Sequence, residues 1–437
     1  MRRGAGGRWP TGIRPSAPGA RATRLELFYD LVFVFAFLNV TTLTAGNPTP
    51  GGLVQCLIVL ALLWWCWTAF AAFGNVVRTD QGVVPLVGFA TTAAAFVFAL
   101  AMPQAFRDNP GGLNGPLVFA VCYFLVRASQ VAAFGWVARG DPVLRRQWLL
   151  LSVPVVIATG LILTASTLPQ RFVEGSAEVG LRLGLWIAAI AVEYGVGLVL
   201  RGTGWTVISA GHWAERHALI VLVALGESVI ALGLGPGLIA GLSLTWPIII
   251  GAVLGIAVVA GLWWAYFDTL ALALEQALHR TRDVDARVAL ARDAYTYLHL
   301  PLVAGIILFA LGLKGLLDEG ADPSNPAWGL PLPGFDLLAL YGGVALYLLG
   351  LVALGWRALR ALRWPSIGFV LLLAASAPLA ARLPELIALG LLGVVVVALT
   401  AVQTAADAPL RGRVRQVALQ EQYAAEADQT RWRGEHL

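Results

Sequence analysis

An all-α polytopic membrane protein of about twelve transmembrane helices is the fold class that this sequence predicts, on three observations. The chain is 58% hydrophobic and 13% charged, whereas soluble domains are about half apolar and a quarter charged. Its mean hydropathy is +0.76. Its length divides into apolar stretches of roughly 18 to 25 residues, which a helix rising 1.5 Å per residue needs to cross about 30 Å of hydrocarbon.

Taken in order, the stretches fall at 25–45, 53–73, 83–103, 114–137, 147–167, 180–200, 211–235, 244–272, 295–317, 335–357, 364–381 and 384–404, each bounded by Gly, Pro or charge. Continuous runs such as Leu391 to Val402 do not alternate in polarity, which excludes a transmembrane barrel and leaves helices as the spanning element. The first span is preceded by Arg2, Arg3, Arg8, Arg14, Arg21 and Arg24. Because the apolar run that follows is full length and carries two acids, these read as a retained cytoplasmic tail rather than a signal peptide.

Orientation follows from the basic residues, since short loops rich in Lys and Arg stay in the cytoplasm. With both termini inside, the outer loops hold only Arg107, Arg171 and Arg382 of the 30 Lys and Arg. The sequence pI near 9.4 therefore reflects inner loops facing anionic lipid, and nucleic-acid binding is not expected. Cys56, Cys66 and Cys122 lie inside apolar spans without metal-type spacing and read as small core residues.

Comparison of the two halves uncovers an internal repeat. RLELFYDLVFVFA from Arg24 is answered by AERHALIVLVAL from Ala214, LWWCW from Leu63 by LWWAY from Leu262, and PLVGF from Pro85 by PLVAG from Pro301. Gly135-Trp136 pairs with Gly355-Trp356, and RLGLWIA from Arg182 with RLPELIA from Arg382. Matches in one order predict two parallel six-helix repeats, residues 1–205 and 206–437. Transporters use this layout with substrate sites near mid-membrane at the repeat interface.

A charge at the bilayer centre costs roughly 2.5 to 3.5 kcal/mol on insertion scales, so ionisable residues within spans are functional candidates. Glu26 and Asp30 lie on one helix face about 6 Å apart along the axis, inviting a cation or a shared proton, or else pairing with Arg216 or Arg127. The seventh span opens with His212, Glu215, Arg216 and His217 and places Glu227 about 18 Å beyond Glu215, near mid-membrane. Arg216 and Glu227 are separated by about 20° around that helix and so share a face. Zinc is not expected, because His212 and His217 are not at the spacing that puts two imidazoles on one metal. Asp268, Tyr295 and His299 are expected in the same layer as the acidic first span. Arg127, Glu193 and Ser228 are further candidates. The paired Trp of the second and eighth spans read as packing or belt residues.

No P-loop, GxSxG or HExxH motif occurs, which argues against an ATP-driven pump or a soluble-type hydrolase, and no cofactor is expected. Buried acids outnumber buried arginines, a balance suited to protons or cations.

LELFYDLVFVFA in the first span and HWAERHALIVLVALGESVIALG in the seventh, with WWAYFD and YLHLPLVAGI, resemble the signatures of the bacterial low temperature requirement A (LtrA) family. The resemblance covers nearly all spans and implies a bacterial inner-membrane protein, with motif positions Glu26, Phe28, Asp30, Glu215, Arg216, His217, Gly226, Glu227 and Ser228. Tyr29 departs from the Phe expected there. The family name describes growth in the cold and implies no reaction. Three functions compete: a proton- or cation-coupled transporter or channel for an unknown small molecule, with Arg216 tuning the acids; an intramembrane enzyme on a lipid or isoprenoid, using Glu227, His217 and His299 as acid and base; and a non-catalytic protein that organises membrane lipids.

Overall fold

The computed structural model describes residues 14–17, 19–108, 111–140, 142–199, 207–233, 245–320, 325–326 and 328–436. The basic positions before Arg14, the junction between the two predicted halves and the loop around residue 240 lie outside them. Among the described residues every regular element is helical, apart from isolated bridges joining Pro15 to Val77 and Pro331 to Pro384.

The long helices are α1 (Arg24–Ala45), α2 (Pro50–Val76), α3 (Val84–Ala101), α4 (Gly115–Ala138), α5 (Pro142–Thr167), α6 (Ser176–Val199) and α7 (Ala210–Gly233). They continue with α8 (Trp246–Phe267), α9 (Leu270–Arg280), α10 (His299–Gly320), α11 (Gly334–Leu359), α12 (Trp364–Ala380), α13 (Glu385–Ala406) and α14 (Ala408–His436). Eleven helical stretches among the described residues are long and apolar enough to cross a membrane. The remaining predicted span corresponds to α12, whose 17 residues cover about 26 Å at helical rise.

Two boundaries differ from the sequence expectation for stated physical reasons. The eighth span is predicted to run to Leu272, but α8 stops at Phe267 and the chain restarts as α9, an amphipathic helix burying Leu270, Ala273, Leu274 and Leu278. Between them Thr269 hydrogen-bonds Asp268 side chain to side chain at 2.9 Å. The ninth span is predicted from Tyr295, whereas α10 begins at His299 after a seven-residue π-helical segment, Ala291–Tyr297.

Neighbouring helices recur in the two halves. In the first, α1 touches α2 and α3, then α3–α4, α4–α5, α5–α6 and α2–α6 are in contact; in the second, α7 touches α8 and α10, followed by α10–α11, α11–α12, α12–α13 and α8–α13. The halves meet where α1 and α2 pack on α7 and α10. Both terminal segments reach α9 at one end of the bundle: Arg21 pairs with Glu275 at 3.3 Å, and Gln276 donates to the carbonyl of Val414 at 2.8 Å.

The α10–α11 pair packs backbone against backbone, which only glycine permits in a bundle whose helices associate by close contact. A Cβ at Gly343 would lie 2.5 Å from the Phe309 nitrogen, and one at Gly305 would lie 2.6 Å from the Gly343 oxygen. Gly226, by contrast, faces open space. Gly343→Ala is therefore expected to cost about 1–3 kcal/mol through forced separation of the helices. Gly226→Ala should leave stability unchanged or raised, as followed by thermal unfolding in detergent.

Candidate functional site

The site begins with two helices in register. Glu26 meets His212, Asp30 meets Arg216 and Thr41 meets Glu227, and in each pair the partners are 186 residues apart. A constant offset with both numbers rising means that α1 and α7 run side by side in the same direction.

Glu26 is fully buried in the first turn of α1. Its Oε2 accepts from the Thr23 backbone N–H at 2.8 Å and the Thr23 hydroxyl at 2.9 Å, a capping box that satisfies donors at the helix start. Its Oε1 accepts from His212 Nε2 at 2.9 Å. Asn75 donates to the other ring nitrogen of His212 at 3.2 Å and to the Ser209 carbonyl at 2.7 Å, so the imidazole is held with its N–H aimed at Glu26. One turn on, the Arg216 guanidinium grips Asp30 through both terminal nitrogens, and Trp67 Nε1 donates to the same carboxylate at 2.8 Å. Arg216 has no exposed surface, stands over the Trp67 ring at 5.4 Å, and lies 3.8 Å from Glu26 through a nitrogen with no hydrogen-bond partner.

Beside this ladder is a chamber of rings around His217. Trp64, Trp67, Trp213, Tyr295 and His299 surround its imidazole with centroids 4.9 to 6.0 Å away. His217 Nδ1 donates to the Trp213 carbonyl at 2.8 Å, which leaves Nε2 as the acceptor of the neutral ring; Nε2 and the Tyr295 hydroxyl are buried without a partner. The π-helical segment builds the far wall. Its wider turn lets His299 Nδ1 donate to the Ala294 carbonyl, five residues back, at 2.9 Å, while Tyr266 donates to His299 Nε2 at 2.8 Å. Tyr295 and His299 stack with planes 6° apart. Single π-turns of this kind are concentrated at functional sites.

Glu227 forms a second layer. It lies about 26 Å from the start of α7 at helical rise. Its Oε1 accepts from the Thr41 hydroxyl at 2.9 Å; its Oε2 and the neighbouring Ser228 hydroxyl are buried and unpartnered. Arg216 and Glu227 both face α1, but Phe33, Phe37, Ile220, Val221 and Ala224 belong to the packed apolar core in the turns between them.

Arg127 and Glu193 form a separate centre between α4 and α6. Two guanidinium nitrogens reach the carboxylate at 3.3 and 3.1 Å, and Tyr123 and Trp65 donate to it at 2.6 Å each. The pair lines a cavity of about 120 Å³ between α2, α4, α5 and α6.

Not every candidate joins these centres. Asp268 turns to the C-terminal helix, where Arg415 contacts it at 2.6 Å and Arg411 at 3.8 Å, rather than to the layer of Tyr295 and His299. Glu215 is half-buried and accepts from the Ala22 backbone N–H at 2.8 Å, tying the N-terminal segment over the ladder. The sequence reading takes the paired Trp of α2 as packing or belt residues, whereas all three indoles of this helix are hydrogen-bond donors. Trp64 donates to the Thr296 carbonyl at 2.7 Å, Trp65 to Glu193 and Trp67 to Asp30, so one helix turn joins the π-segment to both carboxylate centres. A buried indole N–H needs an acceptor, and that is the signal that the LWWCW run offered. The matching Trp263 and Trp264 of α8 remain 40% exposed and do not play this part.

Removing one partner of a buried ion pair leaves an uncompensated charge, at a cost of about 3–5 kcal/mol. Asp30→Asn is expected to destabilise the protein by that amount, read as a lower unfolding temperature in detergent, and Asp30→Asn with Arg216→Met to recover most of the loss. Equal losses in the single and double variants would show that the pair is not coupled.

The LtrA family model, described as bacterial low temperature requirement A protein, matches residues 21–401. The chain is also 28% identical over 366 residues to the uncharacterized protein RA0937 of Rhizobium meliloti (strain 1021), covering 82% of each. No solved structure matches. The matched span takes in the ladder, the ring chamber, Glu227 and the Arg127–Glu193 centre, and the chain belongs to the bacterial low temperature requirement A family.

Proposed function

We propose that this protein is a proton- or cation-coupled secondary transporter of the bacterial inner membrane, built as two parallel six-helix repeats with both termini in the cytoplasm. The observation that carries this reading is Glu227. It is a wholly buried carboxylate in the first helix of the second half, against the first helix of the other, with one oxygen lacking a partner. A carboxylate so placed takes up a proton or a cation, and the interface between repeats is where transporters hold their coupling ions.

The ladder supports the same reading from the other layer. Glu26 and Asp30 bring two carboxylates to one guanidinium, and the imidazole of His212 is a third partner, hydrogen-bonded to Glu26. The recurrence of helix neighbours in the two halves fits the repeat. In this scheme the apolar turns between the layers form the barrier that must hydrate for an ion to pass, and the substrate is a small molecule yet to be identified.

A second reading, a protein that organises lipid without turnover, draws on the pairing of Asp30 with Arg216 and of Glu26 with His212 and Thr23. Proteoliposomes carrying an interior pH dye, under imposed pH and Na⁺ gradients, separate the two. Under the transport reading Glu227→Gln reduces proton or cation flux at least tenfold while the protein still unfolds cooperatively. Wild-type flux no greater than that of empty liposomes favours the lipid-organising role.

A further inference from the structure

The Arg127–Glu193 cavity has chemistry of its own, apart from the α1–α7 ladder. Four rings wall it, Trp65, Phe73, Phe134 and Trp148. Trp148 is fixed by donating to the Val131 carbonyl at 2.8 Å, and its ring fits because residue 135 is glycine, where a Cβ would lie 2.6 Å from the indole nitrogen. The floor carries one positive and one negative side chain, so its net charge is zero. Glu193 accepts four hydrogen bonds, from Tyr123, Trp65 and twice from Arg127, which is the full capacity of a carboxylate. A cationic ligand gains nothing from it without displacing one of these donors.

Arg127 donates once from each of its three nitrogens, the third to Gln130 Oε1 at 2.9 Å, and Gln130 is anchored by donating to the Cys66 carbonyl at 2.8 Å. An anion would have to share that guanidinium with Glu193, whose carboxylate lies 3.1 Å away and repels it. Among the lining side chains Gln147 carries an oxygen, Oε1, that is buried and has no hydrogen-bond partner. The volume, about 120 Å³, is close to that of a cavity of roughly 150 Å³ that takes up benzene.

We infer that this cavity is a binding site for a small uncharged ring compound, of phenol to indole size, that donates one hydrogen bond to Gln147. The rings supply flat apolar contact, the neutral ion pair selects against charge, and the unpartnered carbonyl selects for a donor. The inference does not depend on ion coupling and stands if the flux experiment fails. Because Trp65 also stacks near Tyr194 and Tyr297, with centroids 4.4 and 6.3 Å away, occupancy of the cavity is felt by the π-segment.

Fluorine NMR on the full-length protein in nanodiscs tests the site with four probes: 4-fluorophenol, 4-fluorotoluene, 4-fluorobenzoate and 4-fluorophenyl-trimethylammonium. Saturable binding of 4-fluorophenol is expected, about fivefold tighter than that of 4-fluorotoluene, the worth of one hydrogen bond. Ala72→Leu, which fills the cavity, should weaken it at least tenfold, and Gln147→Leu should bring the phenol down to the toluene. Two results overturn the proposal: phenol uptake equal in wild type, Ala72→Leu and empty nanodiscs, which is partition into lipid, or tighter binding of either charged probe.

Discussion

Arg216 has no exposed surface, and the carboxylate it grips belongs to a helix that begins 192 residues earlier in the chain than Arg216 itself, as the positions of Arg24 and Arg216 show. A guanidinium so deep in a low-dielectric interior is tolerable only if its charge is balanced and its donors are met. Asp30 balances that charge and accepts from both terminal nitrogens, and therefore fixes α1 beside α7 at one height. Once that height is set, His212 falls opposite Glu26 and Glu227 opposite Thr41, because parallel helices of equal rise keep a constant offset. The other centres are arranged around this register.

The consequence reaches α2, the most enclosed of the spanning helices. Trp67 needs Asp30 where Arg216 holds it, Trp64 needs the π-segment carbonyl, and Trp65 needs Glu193. The three indoles thus connect the α1–α7 interface to the cavity between α2, α4, α5 and α6. A change of register at the ladder could not leave the Arg127–Glu193 pair untouched, since both ends share one rigid turn of helix.

Several roles were readable from residues but were disguised by better-known ones. Glu26 looks like an intramembrane acid; the Thr23-x-x-Glu26 spacing also marks it as the partner in a helix cap. Asp268 looks like a member of the acidic layer, yet it stands where α8 ends and binds the arginines of the C-terminal helix. The tryptophans of α2 and α8 are alike in sequence and opposite in environment, because burial depends on neighbours that local sequence does not contain. The π-turn at Ala291–Tyr297 has no composition that sets it apart from an α-helical turn.

Composition and run length alone determined that this chain is a helical membrane protein, since apolar stretches of spanning length leave the backbone no other way to satisfy its hydrogen bonds in lipid. Periodicity determined that Arg216 and Glu227 share one face of their helix, and the motif residues pointed to the family. Only the tertiary structure decided which acid meets which base, that His217 sits among rings with a free nitrogen, and that a cavity lies beside Arg127 and Glu193. The reason is that helical periodicity is local, whereas charge pairing and cavity shape arise from the relative height and rotation of helices that are distant in sequence.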